Sequence, residues 1–523
     1  MRLSSLLLGV SLTALAVPAA AQTATAPSGA NRTVTTPAPA DAVAPQPTTT
    51  LRDALVQAYN TNPDLQGERF NQRANDENVP IAKAAGRPGV SSNGSLSNSL
   101  HNSDDLGVGP TRNANLGIDL SVPVFSGGAV RNSVRAAETR VEAGQAQLRG
   151  TESDVFTQVV TAYVDVLRDE AIVRLNQQNV HVLEVNLQAT RDRFEVGDLT
   201  RTDVAQSEAR LALAQSQLRA AEARLIGSRE SYIRVVGSPP GVLAQPPALP
   251  NLPDDVVTAE DTALANNPNL EAAQKARDAT RYDVDVAKAG RLPTVSVGVG
   301  GNYYNYLGSI QNQAMSGLNN SGFDTTLGAQ VSLPLFQGGR PAAQIRQAQA
   351  RRAAAIETVT LTERGVIAQV RSAYAVYQSS LRVIESSKVA VEANRLSLEG
   401  VRAENSVGTR TILDILNAEQ ELLNSQVNYV TAERDAYVAG FSLLAAMGKG
   451  EAEDLGLDGG PLYDPVANYD KVKNSWSDWS GGKPLDPTGT STKGTPPQTP
   501  TVTTTSLDPV LQRGTVDTNP NNP

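Results

Sequence analysis

The chain has 523 residues and no cysteine, so the sequence predicts no disulfide, no thiolate chemistry and no cysteine-borne lipid anchor. It has only two histidines, His101 in an expected loop and His181 in the middle of an expected helix. With no cysteine at ligand spacing, they predict no metal site. No Gly-x-Ser-x-Gly, P-loop or dinucleotide fingerprint occurs. Carboxylate pairs such as Asp104-Asp105 fall in an expected loop with no apolar pocket to separate their pKa values. Neither catalysis nor a cofactor is therefore expected. Beyond residue 21 no apolar run approaches the roughly 18 residues that a membrane-spanning helix needs, which leaves a soluble periplasmic protein or a β-barrel. Basic runs are also absent. The formal charge of −9 and pI near 5.1 argue against a nucleic-acid partner, which would need cations to displace phosphate counterions.

What is present begins with Met1-Arg2, an apolar run over 6–17, and Ala19-Ala20-Ala21 before Gln22. This pattern predicts a secretory signal peptide over 1–21 and a mature start near Gln22. Residues 22–50, rich in Ala, Thr and Pro, are expected to be a flexible linker. Residues 449–523, rich in Gly, Pro, Thr, Asn and Asp, are expected to be a flexible C-terminal tail, because both segments have too few apolar residues to build a core.

The body between them is one unit written twice, 51–257 and 258–448. "LRDALVQAYNTNPDLQ", "NLGIDLSVPVFSGG", "VFTQVVTAYVDVL" and "VGDLTRTDVAQSEARL" are answered in the same order by "AEDTALANNPNLEAAQ", "TLGAQVSLPLFQGG", "VIAQVRSAYAVYQ" and "VGTRTILDILNAEQEL". From Pro123/Pro334 through Tyr163/Tyr374 to Asp203/Asp414 the offset stays at 211 (334 − 123), which marks a duplicated structural unit. Each unit is expected to hold a helix, two strands and two very long helices. No proline lies between Gly128 and Pro239 or between Pro341 and Pro461, and only Val196-Gly197 and Val407-Gly408 break these stretches. A continuous helix over 129–194 would be about 100 Å long at 1.5 Å per residue.

The returning helices carry a seven-residue repeat, large at all but one position: Val204, Leu211, Leu218, Leu225 and Tyr232, with Ile415, Leu422, Tyr429, Ala436 and Leu443 at the equivalent positions one unit later. Small residues follow three places on, at Ser207, Ala214, Ala221 and Ser228 and at Ala418, Ser425, Ala432 and Ala439. Close coiled-coil packing fits this seam, and an ordinary antiparallel helical hairpin is the alternative.

In 115–124, Leu116, Ile118, Leu120, Val122 and Val124 alternate with small or polar residues, and Leu327, Ala329, Val331, Leu333 and Leu335 repeat the pattern. Ten residues of period two suit a tilted strand with lipid on one face and water on the other, with a soluble sandwich as the alternative. The strand "TVSVGVGGNYYNY" alternates through Val295, Val297 and Val299, whereas "GVSSNGSLSNSL" alternates poorly. Tyr303, Tyr304 and Tyr306 are expected at the membrane–water boundary. The stretches 101–111 and 307–322 suit extracellular loops. Four strands cannot close, because the smallest natural barrels have about 8 and an open edge in hydrocarbon leaves backbone groups unpaired. Several chains must share one barrel, and a trimer would supply twelve strands.

With "VGTRTILDILNAEQELLNSQVNYVTAERDAY", the paired junctions "VPVFSGG" and "LPLFQGG", and "NPDL" echoed by "NPNL", the chain resembles the TolC family of trimeric outer-membrane efflux and secretion ducts from Leu51 to about Gly448. The fold class implied is mixed α and β: a four-stranded share of a 12-stranded transmembrane β-barrel, with long coiled-coil helices forming a periplasmic α-barrel. The resemblance implies a homotrimer in the bacterial outer membrane, in contact with outer-membrane lipid and with a large periplasmic part. A periplasmic adaptor (membrane fusion protein) would dock at the hairpin tips, where Gly197, Thr200, Gly408, Thr409 and Thr411 lie. An inner-membrane ABC or RND-type transporter would drive tripartite efflux or type I secretion. It also implies an entrance ring at Asp414 and at Asn417, where the family would have a second aspartate, so that cation block is expected to be weaker. Asp203 and Arg410 match a gate pair between the two hairpins, and Asn405 stands where some members carry a latching tyrosine.

Local chemistry offers simpler roles for some of these residues. Thr200-x-x-Asp203 and Thr411-x-x-Asp414 each fit a capping box, a role that Asp414 can combine with one in the pore. Gly197 and Gly408 fit helix-ending turns. A soluble periplasmic coiled-coil scaffold or a surface adhesin is the alternative to the duct. Trp476 and Trp479, in the tail, have no assigned role.

Overall fold

A computed structural model of the chain describes residues 48–100, 110–310, 317, 319–457, 462–487, 489–502 and 509–511. All of them belong to one body. The expected signal peptide, most of the expected linker, His101 and Asp104-Asp105 lie outside the described residues.

After the two-residue strand β1 (Thr48–Thr49), the first repeat runs α1 (Leu51–Thr61), α2 (Pro63–Asp76), α3 (Asn78–Ala84), β2 (Gly89–Asn98), β3 (Arg112–Phe125), α4 (Ala129–Glu195) and α5 (Arg201–Val236). A connector with β4 (Val242–Leu243) leads to the second repeat. This holds α6 (Val256–Asn266), α7 (Pro268–Ala289), β5 (Thr294–Asn305), β6 (Ser321–Ser332), α8 (Arg340–Ser406) and α9 (Ile412–Ala446); α10 (Pro465–Val472) lies in the tail. Both α4 and α8 are single helices of 67 residues, about 100 Å each. Each starts after a glycine at positive φ, Gly128 at 84° and Gly339 at 83°, a backbone state that L side chains resist.

The single opening helix expected for each unit is in fact split at Asn62-Pro63 and Asn267-Pro268, where proline can begin a helix but cannot continue one. Each asparagine does two jobs. Asn62 Oδ1 accepts from Asp64 N at 2.9 Å and Leu65 N at 3.3 Å, capping α2, while its amide donates to Val235 O at 2.9 Å near the end of α5. Asn267 caps α7 in the same way and donates to Ala446 O at 3.0 Å, at the end of α9. The repeated Asn-Pro motif therefore clamps the short helices to the root of each long hairpin.

Tyr163 and Tyr374 hold the connectors. The Tyr163 hydroxyl lies 2.9 Å from Thr49 O and 2.6 Å from Ala244 O, across the parallel β1–β4 pair. Tyr374 donates to Asp254 O at 2.8 Å. Around Tyr163 the main core gathers Phe156, Tyr232, Leu65 and Leu225, all fully buried.

In the returning helices the small seam positions Ser207, Ala214, Ala221, Ser425, Ala432 and Ala439 are all buried, as close approach along a hairpin requires. Val204, Leu211 and Leu218 are only half-buried. The two long outgoing helices differ more. α4 packs against α5, α7 and α9, whereas α8 leaves Ile356, Leu361, Val376, Val383, Val389 and Leu396 exposed.

The strands form one antiparallel sheet in the order β2-β3-β5-β6. Its register lines up the apolar residues: Val90, Leu120, Val299 and Leu327 form one row, and Leu116, Tyr303 and Phe323 share another. The opposite face carries Ser91, Asp119, Gly300 and Thr326 in one row and Asn93, Gly117, Asn302 and Asp324 in the next. The poorly alternating strand β2 is thus paired along ten residues with β3. A register shift between Pro123 and Phe125, where proline withholds a ladder donor, pairs Phe125 with Val295. The tyrosines divide between the faces. Tyr303 stands in an apolar row, while Tyr304 alternates to the polar face and lies 5.3 Å from the Tyr306 ring.

The tail, expected to be flexible and too poor in apolar residues to build a core, packs on the body at several points. Ala452 and Leu457 join the main core, α10 packs on α2, and Leu511 is 3% exposed among Leu175, Val391, Leu398, Leu422 and Leu423. Much of the hold is polar. Arg229 donates to Thr499 O at 2.6 Å and Thr501 O at 3.0 Å, and Gln426 donates to Leu511 O at 3.3 Å. Composition reports the apolar content of a segment but not the acceptors on its backbone, and those acceptors are what the body binds here.

Candidate functional site

The turns at the free ends of the two long hairpins bring together most of the residues singled out in the sequence. At the first tip, Gly197 ends α4 with φ 83° and donates to Phe194 O at 3.0 Å, a left-handed helix stop. The Thr200 hydroxyl donates to Asp203 Oδ2 at 2.7 Å, and the Thr200 and Asp203 amides close the box at 2.9 and 3.3 Å. At the second tip, Gly408 has φ 79°. Thr409 donates to Glu404 O at 2.9 Å, and Asn405 donates to Arg410 O at 2.8 Å. The Thr411–Asp414 box repeats the first at 2.7, 2.9 and 3.4 Å. Both capping boxes are thus formed, and Asn405 braces its own turn.

The hydrogen bonds from the threonine hydroxyl and backbone amide hold both carboxyls below the ordinary aspartate value of 3.8, and Arg410 adds to the effect at Asp414. Asp203 and Asp414 are therefore charged throughout the physiological range. Arg410 reaches Glu404 at 2.8 Å and stands 4.0 Å from Asp414. Among the described residues it forms no ion pair with Asp203, so the expected gate pair does not meet within one chain. The Arg410–Glu404 pair is half exposed on both sides, a setting in which ion pairs are weak and readily exchanged.

Asn417, the second expected ring position, is exposed on α9, and its Oδ1 accepts from Arg210 Nη2 on α5 at 2.6 Å. This bond ties one hairpin to the other. Nothing in the sequence marks Arg210, since it has no motif and the contact depends on how α5 lies beside α9. Two residues on, within the second hairpin, Arg402 of α8 pairs with the buried Glu419 of α9. Deeper still, Arg434 joins α9 to Asp165 on α4 at 2.7 Å. The tips are thus free at their turns and cross-tied behind them.

His181 sits on α4, and among the described residues no group of three or more His, Asp or Glu side chains is placed to hold a metal ion. No described helix is long and apolar enough to cross a membrane.

The chain matches the sequence model of the family described as outer membrane efflux protein over residues 54–238 and 260–449. It is 35% identical over 427 residues to the outer membrane efflux protein BepC of Brucella suis, covering 82% of this chain and 91% of that protein. It is 26% identical to the outer membrane protein TolC of Escherichia coli, over 80% of this chain and 86% of that one. The fold is similar to that of the Campylobacter jejuni CmeC outer membrane channel, with a TM-score of 0.68 and 16% identity over 81% of this chain and 89% of that one. With two repeats that match the family and a sheet apolar on one face, the chain belongs to the outer membrane efflux protein family and is an outer-membrane channel of the TolC type.

Proposed function

We propose that three copies of the chain close one twelve-stranded barrel, and that their long hairpins continue it as a periplasmic tunnel. The observation that carries this is the open sheet. Within one chain β2 and β6 each have a single strand neighbour, while the face between them is apolar. An unpaired edge in hydrocarbon costs several kcal/mol for each unsatisfied backbone group, and pairing β2 of one copy with β6 of the next removes both edges. The exposed apolar stripe of α8 supports the same ring, since it gives adjacent hairpins something to bury.

Because the chain has no native cysteine, engineered thiols test the seam without background. Ser91→Cys on β2, combined in turn with Asp324→Cys, Thr326→Cys, Gly328→Cys or Gln330→Cys on β6, is expected to give disulfide-linked trimers on a non-reducing gel for at least one pair. Monomers at every position would reject the shared barrel.

The tips then form the entrance. They are the proposed docking site of a periplasmic adaptor, reached through Gly197, Thr200, Gly408, Thr409 and Thr411, with an ABC or RND-type transporter behind it. Asp203 and Arg410, which do not meet in one chain, are the proposed gate contact between neighbouring hairpins of the ring. The Asp414 carboxylates of the three copies would attract cations.

Replacing Asp414 with Asn is expected to raise the divalent cation concentration that blocks the channel by about tenfold, measured as single-channel current. The sign of the pH dependence follows from the depressed pKa. The Thr411 hydroxyl and amide keep the carboxylate charged to lower pH than an ordinary aspartate, and the charge is lost only as pH falls through the lowered folded value, so block should change little as pH falls from 7 to 5. Asn417→Asp alone is expected to add little, because Arg210 would neutralise the new carboxylate. Asn417→Asp with Arg210→Gln should strengthen block. A strong gain from Asn417→Asp alone would show that Arg210 does not reach position 417 in the assembled channel.

A further inference from the structure

The chain has two tryptophans, and both stand in one exposed stretch of the tail, at Trp476 and Trp479. This stretch is fixed beside the start of the sheet. α10 lies on α2, with Asn468 donating to the fully buried Asp76 at 2.8 Å and Tyr469 packed on Val79, Ala137 and Val141. Beyond it, Lys83 donates to Lys473 O at 2.9 Å. Arg87 donates to Ser475 O and lies over the Trp476 ring, 4.6 Å from its centroid. Arg87 is two residues before Gly89, where β2 begins, so it lies within about 7 Å of the first strand residue at 3.4 Å per residue.

We infer that Trp476 and Trp479 form an interfacial anchor that seats in the headgroup region of the phospholipid leaflet facing the periplasm. Three observations fit together. First, the apolar outer face of β2 starts at the exposed Val90, immediately beyond Arg87. Second, a bilayer has a hydrocarbon core of about 30 Å within a total of about 40–45 Å. Each interfacial layer is therefore of the same few ångströms that separate Arg87 from the strand. Third, Trp479 is 99% exposed and Trp476 66% exposed, a large cost in water for an indole, whereas the interface accommodates its apolar body and its N–H together. Arg87 sets the height of the loop by holding its backbone, and Trp476 is the hinge against which Trp479 projects. The lipid surface is continuous with the apolar face of the sheet, which makes it a closer partner than a soluble protein. The inference rests on that face meeting lipid.

The two tryptophans are also the only indoles, so intrinsic fluorescence reports on this loop alone. Full-length protein is placed in nanodiscs of plain phosphatidylcholine or of phosphatidylcholine brominated near the headgroup end of the acyl chains. Emission is expected to fall by about half in the brominated discs, in keeping with an indole at the interface. Lipid brominated near the bilayer centre should quench far less. Trp476→Phe, which leaves Trp479 as the reporter, should keep strong quenching, and Trp479→Phe should reduce it. Equal emission in plain and brominated discs overturns the anchor, whether the indoles then prove open to aqueous acrylamide or covered by a neighbouring copy. Incorporation into discs is read separately by co-elution with lipid. Failure to incorporate would therefore count against the lipid-facing sheet, and incorporation without quenching against the anchor alone.

Discussion

Arg229→Ala is expected to destabilise the protein by about 3–5 kcal/mol, the cost of breaking a buried ion pair by removing one partner. Arg229 Nη2 lies 2.6 Å from Glu170 Oε1, with side-chain exposures of 9% and 6%, so solvent screening does not soften the loss. Alanine would leave the Glu170 carboxylate without its hydrogen-bonded cation, with only the charge of Arg174 acting on it, and the Thr499 and Thr501 carbonyls without their donor. Hydrogen bonds to a charged group contribute about 1.5–3 kcal/mol each, so the tail should loosen together with the helices. Denaturant unfolding of detergent-solubilised protein measures the first effect, and limited proteolysis within 490–511 measures the second. Replacing both partners, Glu170→Leu with Arg229→Met, should recover much of the stability, because two apolar side chains need no partner. A loss below about 1 kcal/mol for Arg229→Ala, the range of exposed pairs, would mean that the pair is open to water in the assembled channel.

Leu327→Arg and Thr326→Arg are expected to diverge although they are neighbours in sequence. Leu327 belongs to the apolar row with Val299, Leu120 and Val90, whereas Thr326 lies beside Gly300 and Asp119 on the other face. An arginine on the lipid side near mid-membrane costs about 2–4 kcal/mol per copy, so Leu327→Arg should sharply lower the amount of assembled protein in the outer membrane. Thr326→Arg should assemble, because the polar face meets water and the Asp119 carboxylate beside Gly300 offers the guanidinium a partner. It should also lower cation conductance by countering Asp119. Membrane fractionation followed by single-channel recording distinguishes the two. Equal tolerance of both substitutions would remove the assignment of faces.

The features legible in the sequence are those written in short, local codes. The Thr-x-x-Asp boxes at Thr200 and Thr411 depend on four consecutive residues, and the glycines at 197 and 408 on a single backbone angle. The strand faces follow from alternation, and the duplication from the 211-residue offset. Each involves residues close in the chain or related by a fixed shift, so a linear reading captures it. The Asn62 and Asn267 motifs were visible as repeats, but half of what they do, the bond to the far end of α5 or α9, was not.

The remaining features join distant residues with no periodic mark. Arg210 meets Asn417, Arg229 meets Glu170 and the carbonyls of 499 and 501, and Arg87 meets Trp476. Arg410 turned to Glu404 on its own hairpin rather than to Asp203, because a side chain six residues away is within reach wherever the hairpins lie. The tail shows the same division. Its composition forecast no core, and its place on the body is held largely by arginine and glutamine donors reaching its backbone.

By itself, then, the sequence determined the duplicated mixed architecture, the extent of the long hairpin helices, the polarity of the two sheet faces and the caps at the tips, because periodicity and capping are set by neighbours along the chain. Only the tertiary structure decided which charges are paired, where the tail runs and what stands beside the first strand. Those contacts depend on the approach of helices and strands that are hundreds of residues apart, and no local pattern encodes that approach.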